Sequence, residues 1–363
     1  MIKIRKIKKK DFKNINRLFF RNNLKFFNKS EWNNLWSNPY FKKNKNWAIG
    51  WAATNKNRIV GHIGNTPRVY LTRNNKKIIC SNINSWVVDK DYRYLSVLLL
   101  KKVLDFKKSH FRISTTTSTS AAEIFKKFDI NEVIYPKIKK NFLIIFNFKK
   151  ILNIYAKTKN PIISSSVKLF NPLIIKAFKK RTNLWEKKEA SLNIVQLKNF
   201  AKSYDLFWKK YFKQNQNKLI LNRSSIWQKW LLKESIKKGN TLVFCCQRKN
   251  TILGYSIIKI ISKKKYKYAR LIDLVTLNDD KKIINELILK NLYMAKKLKC
   301  DFFEFRFISK KIFSEIKKFK PYVYNLKENN FYLNYNENLK KMFFSKNLKW
   351  DPSNLDGDII NTL

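Results

Sequence analysis

Residues 85–106 read SWVVDKDYRYLSVLLLKKVLDF, and the interpretation of the whole chain depends on this stretch. The segment that leads into it, residues 78–88, is mostly apolar and predicts a strand. Residues 97–106 have the apolar spacing of an amphipathic helix. The pattern therefore predicts a strand that ends in a loop, with a helix beginning soon after it.

The loop between this strand and this helix is a candidate anion site. The first N–H groups of a helix have no partner within the helix, and the helix dipole adds partial positive charge at the same end. Phosphate groups bind well at such a position. Arg93 lies just before the helix and contributes a full positive charge. We therefore expect a phosphate-bearing ligand here.

Short strands and helices surround this stretch on both sides. Polar turn sequences, TNKN and RNN, separate the upstream strands and indicate a β-meander. The predicted elements, in order, are a strand in residues 2–7, a helix from Asp11, strands in residues 47–53, 58–63, 69–71 and 78–88, a helix in 97–106, a strand in 111–114 and a helix in 121–128.

The second half of the chain repeats this plan. IGWAATNKNRIVGHI around Gly61 and VFCCQRKNTILGYSI around Gly254 share an apolar strand, a polar turn, two apolar residues, Gly and a second strand. A repeat of this length indicates a duplicated domain. The further elements of the second copy are strands in residues 241–247, 252–260 and 268–277, a helix in 283–298, a strand in 300–307 and a helix in 312–319.

The repeat predicts the architecture. We expect an α/β (α+β) fold of two tandem domains, each a mixed, mostly antiparallel sheet flanked by helices. The expected boundaries are residues 1–150 for the first domain, 151–189 for a helical linker, 190–350 for the second, diverged domain and 351–363 for an acidic tail.

Composition sets the class of protein. The chain has 363 residues, 44% of them hydrophobic, which is enough for packed cores. Its longest apolar runs, such as FLIIFNF in residues 142–148, are far shorter than a bilayer requires. The four cysteines have no metal-ligand spacing and predict core residues in a reducing compartment. We expect a cytoplasmic protein without a transmembrane segment and without a metal.

The net charge of +55 has two interpretations. Lysines outnumber arginines about five to one and are spread over the whole chain, whereas base and phosphate recognition favours arginine. This distribution is typical of compositional bias in the genome. The charge also predicts salt-dependent contact with anionic lipid or nucleic acid.

The order of elements resembles that of the GNAT N-acyltransferase superfamily, and residues 85–93 resemble its acyl-CoA motif. The resemblance implies acetyl-CoA or another acyl-CoA as co-substrate, with the strand pairing with pantetheine and the loop binding the pyrophosphate. The hydroxyl-rich run TTTSTS, residues 115–120, adds candidate contacts to acyl or phosphate oxygens. The candidate cofactor-binding residues are Trp86, Val87, Val88, Arg93, Tyr94, Leu95, Ser96, Val97, Ser118 and Thr119.

Three positions depart from the family pattern. Residues 93–98 contain no Gly, although the family normally has glycines in this loop. The corresponding segment of the second copy, TLNDDK in residues 276–281, is acidic, which disfavours a pyrophosphate. Phe125 lies near the place where the family often has a Tyr that protonates the departing thiolate. We therefore expect CoA binding in the first copy and not in the second.

Few residues are candidates for acid–base chemistry. Asp273 lies inside an apolar strand, where it acts either as a general base with a raised pKa or as the partner of Arg270 or another cation. Glu304 alternates with apolar residues and predicts an ion pair on the sheet. His62 follows Gly61 in a strand and predicts a packed or partly exposed histidine.

The end of the chain carries a second acidic motif. Asp356 and Asp358 are separated by Gly357 in an otherwise basic chain. Such a pair holds a metal, reaches a basic active-site mouth or belongs to a solvated tail, and the solvated tail is the commonest case.

The predicted activity is transfer of an acetyl or other acyl group from acyl-CoA to an amine or hydroxyl. The acceptor class that the resemblance favours is a sugar or a cell-envelope polysaccharide precursor. Two alternatives remain open, namely a transferase of the same fold that uses an aminoacyl-tRNA donor, and a non-catalytic GNAT-like binding module. Retention on nucleic acid that survives mutation of Arg93 would instead indicate a polyanion-binding protein.

Overall fold

The structure of the chain is a computed structural model. It describes residues 1–128, 130–132, 140–151, 153, 192–306, 309–325, 331–335, 339, 349–350 and 353–357. The predicted helical linker, residues 151–189, lies outside the described residues except for positions 151 and 153.

The first sheet is built mainly by the N-terminal half. Its strands follow the order β1-β2-β3-β4-β5-β15-β6, with β9 pairing on β3 and β16 on β9. All neighbours along the main path are antiparallel except β4 and β5. The strands are β1 (Ile2–Lys6), β2 (Gly50–Asn55), β3 (Arg58–Thr72), β4 (Lys76–Val88), β5 (Phe111–Ser114), β6 (Asn131–Glu132), β9 (Lys218–Leu221), β15 (Tyr332–Tyr335) and β16 (Lys349–Trp350).

Five helices of this half lie entirely within the described residues. Amphipathic spacing gives the first of them an apolar face, on which Ile15, Leu18 and Phe19 are buried. Asn28 caps the second by accepting from the backbone N–H of Glu31 at 2.8 Å. The helices are α1 (Phe12–Arg21), α2 (Lys29–Trp36), α3 (Pro39–Lys43), α4 (Leu95–Leu104) and α5 (Thr119–Lys126).

The second sheet repeats the order of the first. Its strands follow β14-β7-β13-β12-β11-β10-β8, and β12 and β13 are its parallel pair. The strands are β7 (Lys140–Ile145), β8 (Ile194–Gln196), β10 (Thr241–Arg248), β11 (Thr251–Ser262), β12 (Lys267–Thr276), β13 (Phe302–Phe305) and β14 (Tyr322–Asn325). The helices are α6 (Lys202–Gln214), α7 (Ser225–Lys237), α8 (Lys281–Lys297) and α9 (Lys310–Lys317). The predicted fold class, two mixed sheets flanked by helices, is confirmed.

The two repeat glycines occupy equivalent places. A Cβ on Gly61 would lie 3.0 Å from Leu99 of α4, and a Cβ on Gly254 would lie 3.0 Å from Ile283 of α8. Each glycine therefore lets the helix that follows the central strand approach its sheet closely. This shared contact supports the duplication that the sequence predicts.

Each sheet takes strands from the other half of the chain, and the first sheet takes three of them, β9, β15 and β16. β7, from the N-terminal half, lies between β13 and β14 of the second sheet. β15, from the C-terminal half, pairs with β5 and β6 of the first sheet. The division at residues 150 and 190 stays a prediction, and the exchange shows that hydrogen bonding crosses it in both directions.

The two halves also share a core. One cluster of buried apolar residues runs from Phe19 in α1 and Tyr70 in β3 to Tyr204 in α6 and Tyr255 in β11. Between α2 and α7, the indole N–H of Trp230 donates to the carbonyl oxygen of Asn34 at 2.8 Å. No described helix is both long enough and apolar enough to cross a membrane.

Candidate functional site

The first sheet opens between its two parallel strands. β4 and β5 are in register only from Cys80 to Asn82 on β4 and from Phe111 to Ile113 on β5. Residues 83–88 of β4 continue beyond this pairing, while the chain after β5 turns away to begin α5 at Thr119. One edge of β4 is therefore unpaired by β5 over its last six residues, and an extended ligand can pair with it through its backbone.

A bulge interrupts β4 at this opening. His62 pairs with Val87 and Gly64 pairs with Asn84, so Ser85 and Trp86 have no opposite residue in β3. Ser85 adopts a left-handed backbone conformation with φ of 50°. Such strained backbone is concentrated at functional sites, where it turns backbone groups out of the sheet.

His62 supports the bulge from inside. Its Nδ1 atom lies 2.8 Å from the carbonyl oxygen of Ser85, which only accepts, so Nδ1 carries the proton. The side chain is buried, and burial lowers the pKa of His62 to about 4. Of the two states that the sequence predicts, the observed one is the packed histidine, in the neutral form.

Asp89 fixes the start of the loop after β4. Its backbone N–H donates to the carbonyl oxygen of Val60 at 2.8 Å, and its carboxylate pairs with Arg21 at 2.8 Å and Arg58 at 3.0 Å. Burial alone would raise the pKa of Asp89, but the hydrogen bonds from Arg21 and Asn22 outweigh it and lower the pKa below its usual value. The carboxylate is therefore neutralised by these cations and leaves the following helix start electropositive.

The N-terminus of α4 has no side-chain cap. Tyr94 is the N-cap residue and makes no capping hydrogen bond. Arg93, directly before it, is exposed. The N–H of Ser96 donates to the carbonyl oxygen of Arg93 at 3.0 Å, so the helix start combines a first turn without a side-chain cap and an adjacent cation.

The predicted cofactor-binding residues fall into two groups. Those of β4 and α4 lie along the unpaired end of β4 and the loop after it: Trp86 and Val88 are half-buried, Val87 and Leu95 are buried, Ser96 is half-buried, and Arg93, Tyr94 and Val97 are exposed. Ser118 caps α5 by accepting from the N–H of Ala121 at 3.3 Å, and Thr119 is the first residue of that helix. Phe125 of α5 stacks on Trp86 at 5.6 Å, which brings α5 against β4. Ligand binding by these residues stays a prediction.

A cavity of about 320 Å³ opens beside the bulge. Its inner end is formed by the first sheet, through Thr66, Asn84, Ser85 and Thr116. Helix α7 forms one wall, and the α1–α2 loop, α2 and β11 form the others. The remaining lining residues are Phe19, Leu24, Lys25, Phe26, Phe27, Glu31, Asn34, Leu35, Trp230, Leu231, Glu234, Ser235, Lys238, Asn240 and Lys259.

Two carboxylates line the cavity, those of Glu31 and Glu234. Glu234 makes no ion pair among the described residues. Glu31 is paired with Lys238 at 2.5 Å, whereas the Oε1 atom of Glu234 is buried and has no hydrogen-bond partner among the described residues. Sequence reasoning missed Glu234, because it lies about 150 residues from Ser85 and on a helix of the other half. No local pattern marks it.

The second sheet opens at the equivalent place, but its gap is filled. β12 and β13 are in register only over three residues each, up to Arg270 and Glu304. Beyond this pairing, the side-chain amide of Asn354 donates to the carbonyl oxygens of Leu271 at 2.7 Å and Arg306 at 2.9 Å. The C-terminal segment of the chain therefore occupies the position of a strand-pairing ligand.

The helix start of the second half is also filled. Asp280 accepts from the N–H groups of Lys282 at 2.8 Å and Ile283 at 3.1 Å, and so caps α8 with a carboxylate. A second anion at this position would be repelled. The geometry agrees with the expectation that the second copy does not bind a pyrophosphate.

Asp273, the predicted catalytic residue, lies in a buried ion pair. Its two oxygens accept from Arg223 at 2.8 and 3.2 Å, and the hydroxyl of Tyr255 donates to it at 2.6 Å. It does not line the cavity. Of the two roles that the sequence left open, the observed one is pairing with a cation, which is Arg223 rather than Arg270. Arg270 is paired with Glu304, so the predicted ion pair of Glu304 on the sheet is confirmed.

The prediction of a solvated tail is wrong for residues 354–356. Asn354, Leu355 and Asp356 are at most 2% exposed. Arg68 donates to the carbonyl oxygen of Gly357 at 3.1 Å and Tyr70 to that of Asp356 at 3.3 Å, so the segment reaches from the second sheet to the first. Burial raises the pKa of the Asp356 carboxyl. Asp358, its predicted metal-binding companion, lies outside the described residues, and the described residues contain no cluster of three or more metal-ligating side chains.

Solved structures share this arrangement of sheets. A conserved protein of Enterococcus faecalis described as a probable N-acyltransferase matches with a TM-score of 0.58 and 11% identity over 94% of this chain and 74% of its own. N-myristoyltransferase of Saccharomyces cerevisiae, with bound myristoyl-CoA, matches with a TM-score of 0.54 and 15% identity over 92% and 82%. A GCN5-related N-acetyltransferase of Anabaena variabilis matches with a TM-score of 0.54 and 11% identity over 92% and 72%.

No protein-family model matches the chain, and no curated protein sequence matches it. At such low identity the structural matches define the fold alone. The chain has the fold of the GNAT N-acyltransferases, in a tandem form with two sheets.

Proposed function

We propose that the chain transfers an acyl group from acyl-CoA to an amine or hydroxyl acceptor, in the first half of the molecule. The observation that supports this most directly is that the first half keeps three features together. These are the unpaired end of β4, the bulge at Ser85 and the uncapped start of α4. The bound myristoyl-CoA of a protein with the same fold agrees with an acyl-CoA donor.

In this proposal the donor lies along β4. The pyrophosphate binds the N–H groups at the start of α4 and the side chain of Arg93, and pantetheine pairs with residues 86–88. The thioester carbonyl then reaches the bulge. There the backbone N–H groups of Ser85 and Trp86, which have no opposite residue in β3, stabilise the negative charge that develops on the carbonyl oxygen. Neutral His62 holds the carbonyl of Ser85 and so keeps this bulge in place.

The acceptor enters through the cavity. Its amine attacks the thioester carbon, the new C–N bond forms, the C–S bond breaks and CoA leaves as the thiolate. Glu234 receives the proton that the amine loses, because its Oε1 atom is buried in the cavity wall without a partner among the described residues. Asp273 has no part in this step.

The proposal extends to the chemical class of the acceptor and to the cellular compartment. A sugar or a cell-envelope polysaccharide precursor is the acceptor class that the sequence resemblance favours. The four cysteines are all free and buried, which agrees with action in a reducing compartment such as the cytoplasm.

A transfer assay tests this proposal. Release of CoA thiol from acetyl-CoA is measured with a panel of amines, for the natural chain and for Glu234→Gln. We expect acceptor-dependent release that falls about 100-fold in Glu234→Gln, within the range of general-base catalysis. Glu123→Gln, at an exposed position of α5, is the matched control. An unchanged rate in Glu234→Gln would remove this residue from the mechanism.

Aminoacyl-tRNA is a second candidate donor, and the net charge of +55 is the observation that favours it. Binding of nucleic acid weakens steeply with salt because counterions are released. Transfer from aminoacyl-tRNA that falls by orders of magnitude with added salt, together with no transfer from acetyl-CoA, would replace the first proposal with this one. The proposed contact with anionic lipid is tested in the same way on vesicles.

A further inference from the structure

The outer end of the cavity carries three lysines from three separate elements. Lys25 comes from the α1–α2 loop, Lys238 follows the last residue of α7, and Lys259 lies in β11. Lys259 is only 3% exposed, which is rare for this residue type. Cations brought together from distant parts of the sequence, with one of them buried, are typical of a site for an anion.

Positions along helix α7 define the inner end, the middle and the outer end of the cavity. Trp230 lies at the inner end beside β3, since the guanidinium of Arg68 is 5.1 Å from its ring. Lys238 lies at the outer end with Lys259, because the residue after Lys259 donates its N–H to Asn240 at 2.7 Å. Glu234 lies midway, four residues from each. At about 1.5 Å per residue, its backbone is about 6 Å from each end.

We propose that the lysines of the outer end bind an acidic group, a carboxylate or a phosphate, of a small ligand that also carries an amine. The amine part rests on the proposed function, whereas the anion site does not. The ligand lies with its amine towards Glu234 and the bulge, and with its acidic group about one helical turn, about 6 Å, further out.

The charges of the cavity orient such a ligand in one direction. Glu31 is held by Lys238, so the carboxylate that faces the middle of the cavity is that of Glu234. Glu234 attracts an ammonium group and repels an anion. At the outer end Lys238 is paired with Glu31, and the positive charges of Lys25 and Lys259 remain in excess and attract an anion. A ligand with both charges therefore enters with its amine leading.

The electrostatics of Lys259 agree with this site. Burial, together with the positive charges of Lys25, Lys238 and Arg270, lowers the pKa of Lys259 to about 8, and the negative charge of Glu31 opposes this shift. A bound anion would add negative charge beside Lys259 and would raise this pKa. Ligand binding and lysine protonation are therefore coupled, which provides a site-specific readout.

Competitive lysine labelling tests the anion site on the natural chain, without any acyl-CoA. The chain is labelled with trace isotopic acetic anhydride, with and without inorganic phosphate or butyrate at equal ionic strength, and the label on each lysine is measured by mass spectrometry. Only the neutral amine reacts, so a pKa raised by one unit lowers labelling about tenfold. We expect this loss at Lys259, with protection of Lys25 and Lys238, and no loss at exposed Lys76.

The two anions distinguish the two kinds of acidic group. Protection by phosphate alone assigns a phosphate ligand, and protection by butyrate alone assigns a carboxylate. Protection should disappear in Lys25→Met and persist in the matched variant Lys76→Met. If none of the three lysines is protected more than Lys76 by either anion, the site does not exist. The readouts at Lys25 and Lys238 decide this even if buried Lys259 takes up no label.

A transfer assay then tests the amine. γ-Aminobutyrate is compared with n-butylamine, and phosphoethanolamine with ethanolamine, at equal concentration. We expect kcat/KM about tenfold higher for the acidic member of a pair. Equal rates would contradict the proposed acceptor class. Absence of any transfer, with lysine protection intact, would overturn the proposed function and leave the anion site standing.

Discussion

The two sheets open at the same place, between the central parallel strands, but among the described residues only the gap of the second sheet is filled by the chain itself. In the second sheet, Asn354 bridges the carbonyl oxygens on either side and Asp280 caps the following helix. In the first sheet, β4 has a strained bulge at Ser85, and α4 begins without a side-chain cap. The two halves therefore share the arrangement of strands and helix, and they differ in whether protein groups fill the gap and cap the helix.

This comparison separates what the fold requires from what a ligand site requires. A parallel pair that diverges leaves backbone groups that need partners, and a helix start leaves N–H groups that need an acceptor. In the second half, protein groups supply both. Among the described residues, the first half has neither a side-chain bridge across its gap nor a side-chain cap at the start of α4, which is why we place the donor there.

The largest effect is expected in the second half, where the network around Asp273 is structural. Arg223→Met leaves the carboxylate of Asp273 buried without its cation, and loss of one partner of a buried pair costs about 3–5 kcal/mol. We expect the free energy of unfolding, measured with urea, to fall by this amount. The control is Arg93→Met, at an exposed position. A loss below about 1 kcal/mol would show that the buried pair does not stabilise the fold.

The next effect concerns His62 and pH. The folded pKa of about 4 lies below the value of 6.5 for an unperturbed histidine. The neutral side chain therefore stabilises the fold fully above pH 6.5, and this contribution is lost as the pH falls towards 4. The shift corresponds to about 3 kcal/mol.

His62→Gln should remove this part of the pH dependence. Urea unfolding at pH 7 and pH 4 is compared between the natural chain and the variant, and the natural chain should lose about 3 kcal/mol more. The control is His110→Gln, which removes the other histidine of the chain at an exposed position. Equal losses for the natural chain and His62→Gln would mean that His62 is charged or solvated.

Removal of the bridge in the second sheet should have a smaller effect. Asn354→Ala leaves the carbonyl oxygens of Leu271 and Arg306 without this donor, which costs about 1–3 kcal/mol for buried groups. The free energy of unfolding reports the loss. The control is Asn46→Ala, at an exposed position before β2. An unchanged stability would mean that the C-terminal segment does not fill the gap.

The smallest effect is expected at the start of α8. Asp280→Ala removes a helix cap and should cost about 1 kcal/mol. Acetyl-CoA affinity should not change, because the gap of the second sheet stays closed by Asn354. A second bound acetyl-CoA in this variant would show that the carboxylate alone distinguishes the two halves.

The sequence was informative about elements and their order. The periodicity of residues 97–106 and 283–298 predicted α4 and α8 to within a few residues, since a helix repeats its apolar positions every three to four residues. The repeat around Gly61 and Gly254 predicted the two sheets, because each glycine lies where a side chain would crowd the helix that packs on its sheet.

The sequence was not informative about contacts between distant parts of the chain. Residues 142–148 form a short apolar run, but the run contains nothing about the sheet in which β7 pairs. The acidic C-terminal segment seemed solvated by composition, yet Asp356 accepts from Ser353 and is buried between the sheets. Glu234 and Lys259 line one cavity with Ser85 only because the two halves pack together, and no local sequence pattern predicts such packing.

The central claim, that only the first half binds acyl-CoA, is tested most directly by calorimetric titration with acetyl-CoA. The titration is run at about 0.5 M salt, where screening suppresses non-specific binding to the basic surface. We predict one bound molecule per chain, with affinity about tenfold weaker in Arg93→Ala and unchanged in Lys281→Ala, at the first residue of α8. Two bound molecules per chain, or one whose affinity depends on Lys281 and not on Arg93, would contradict the account.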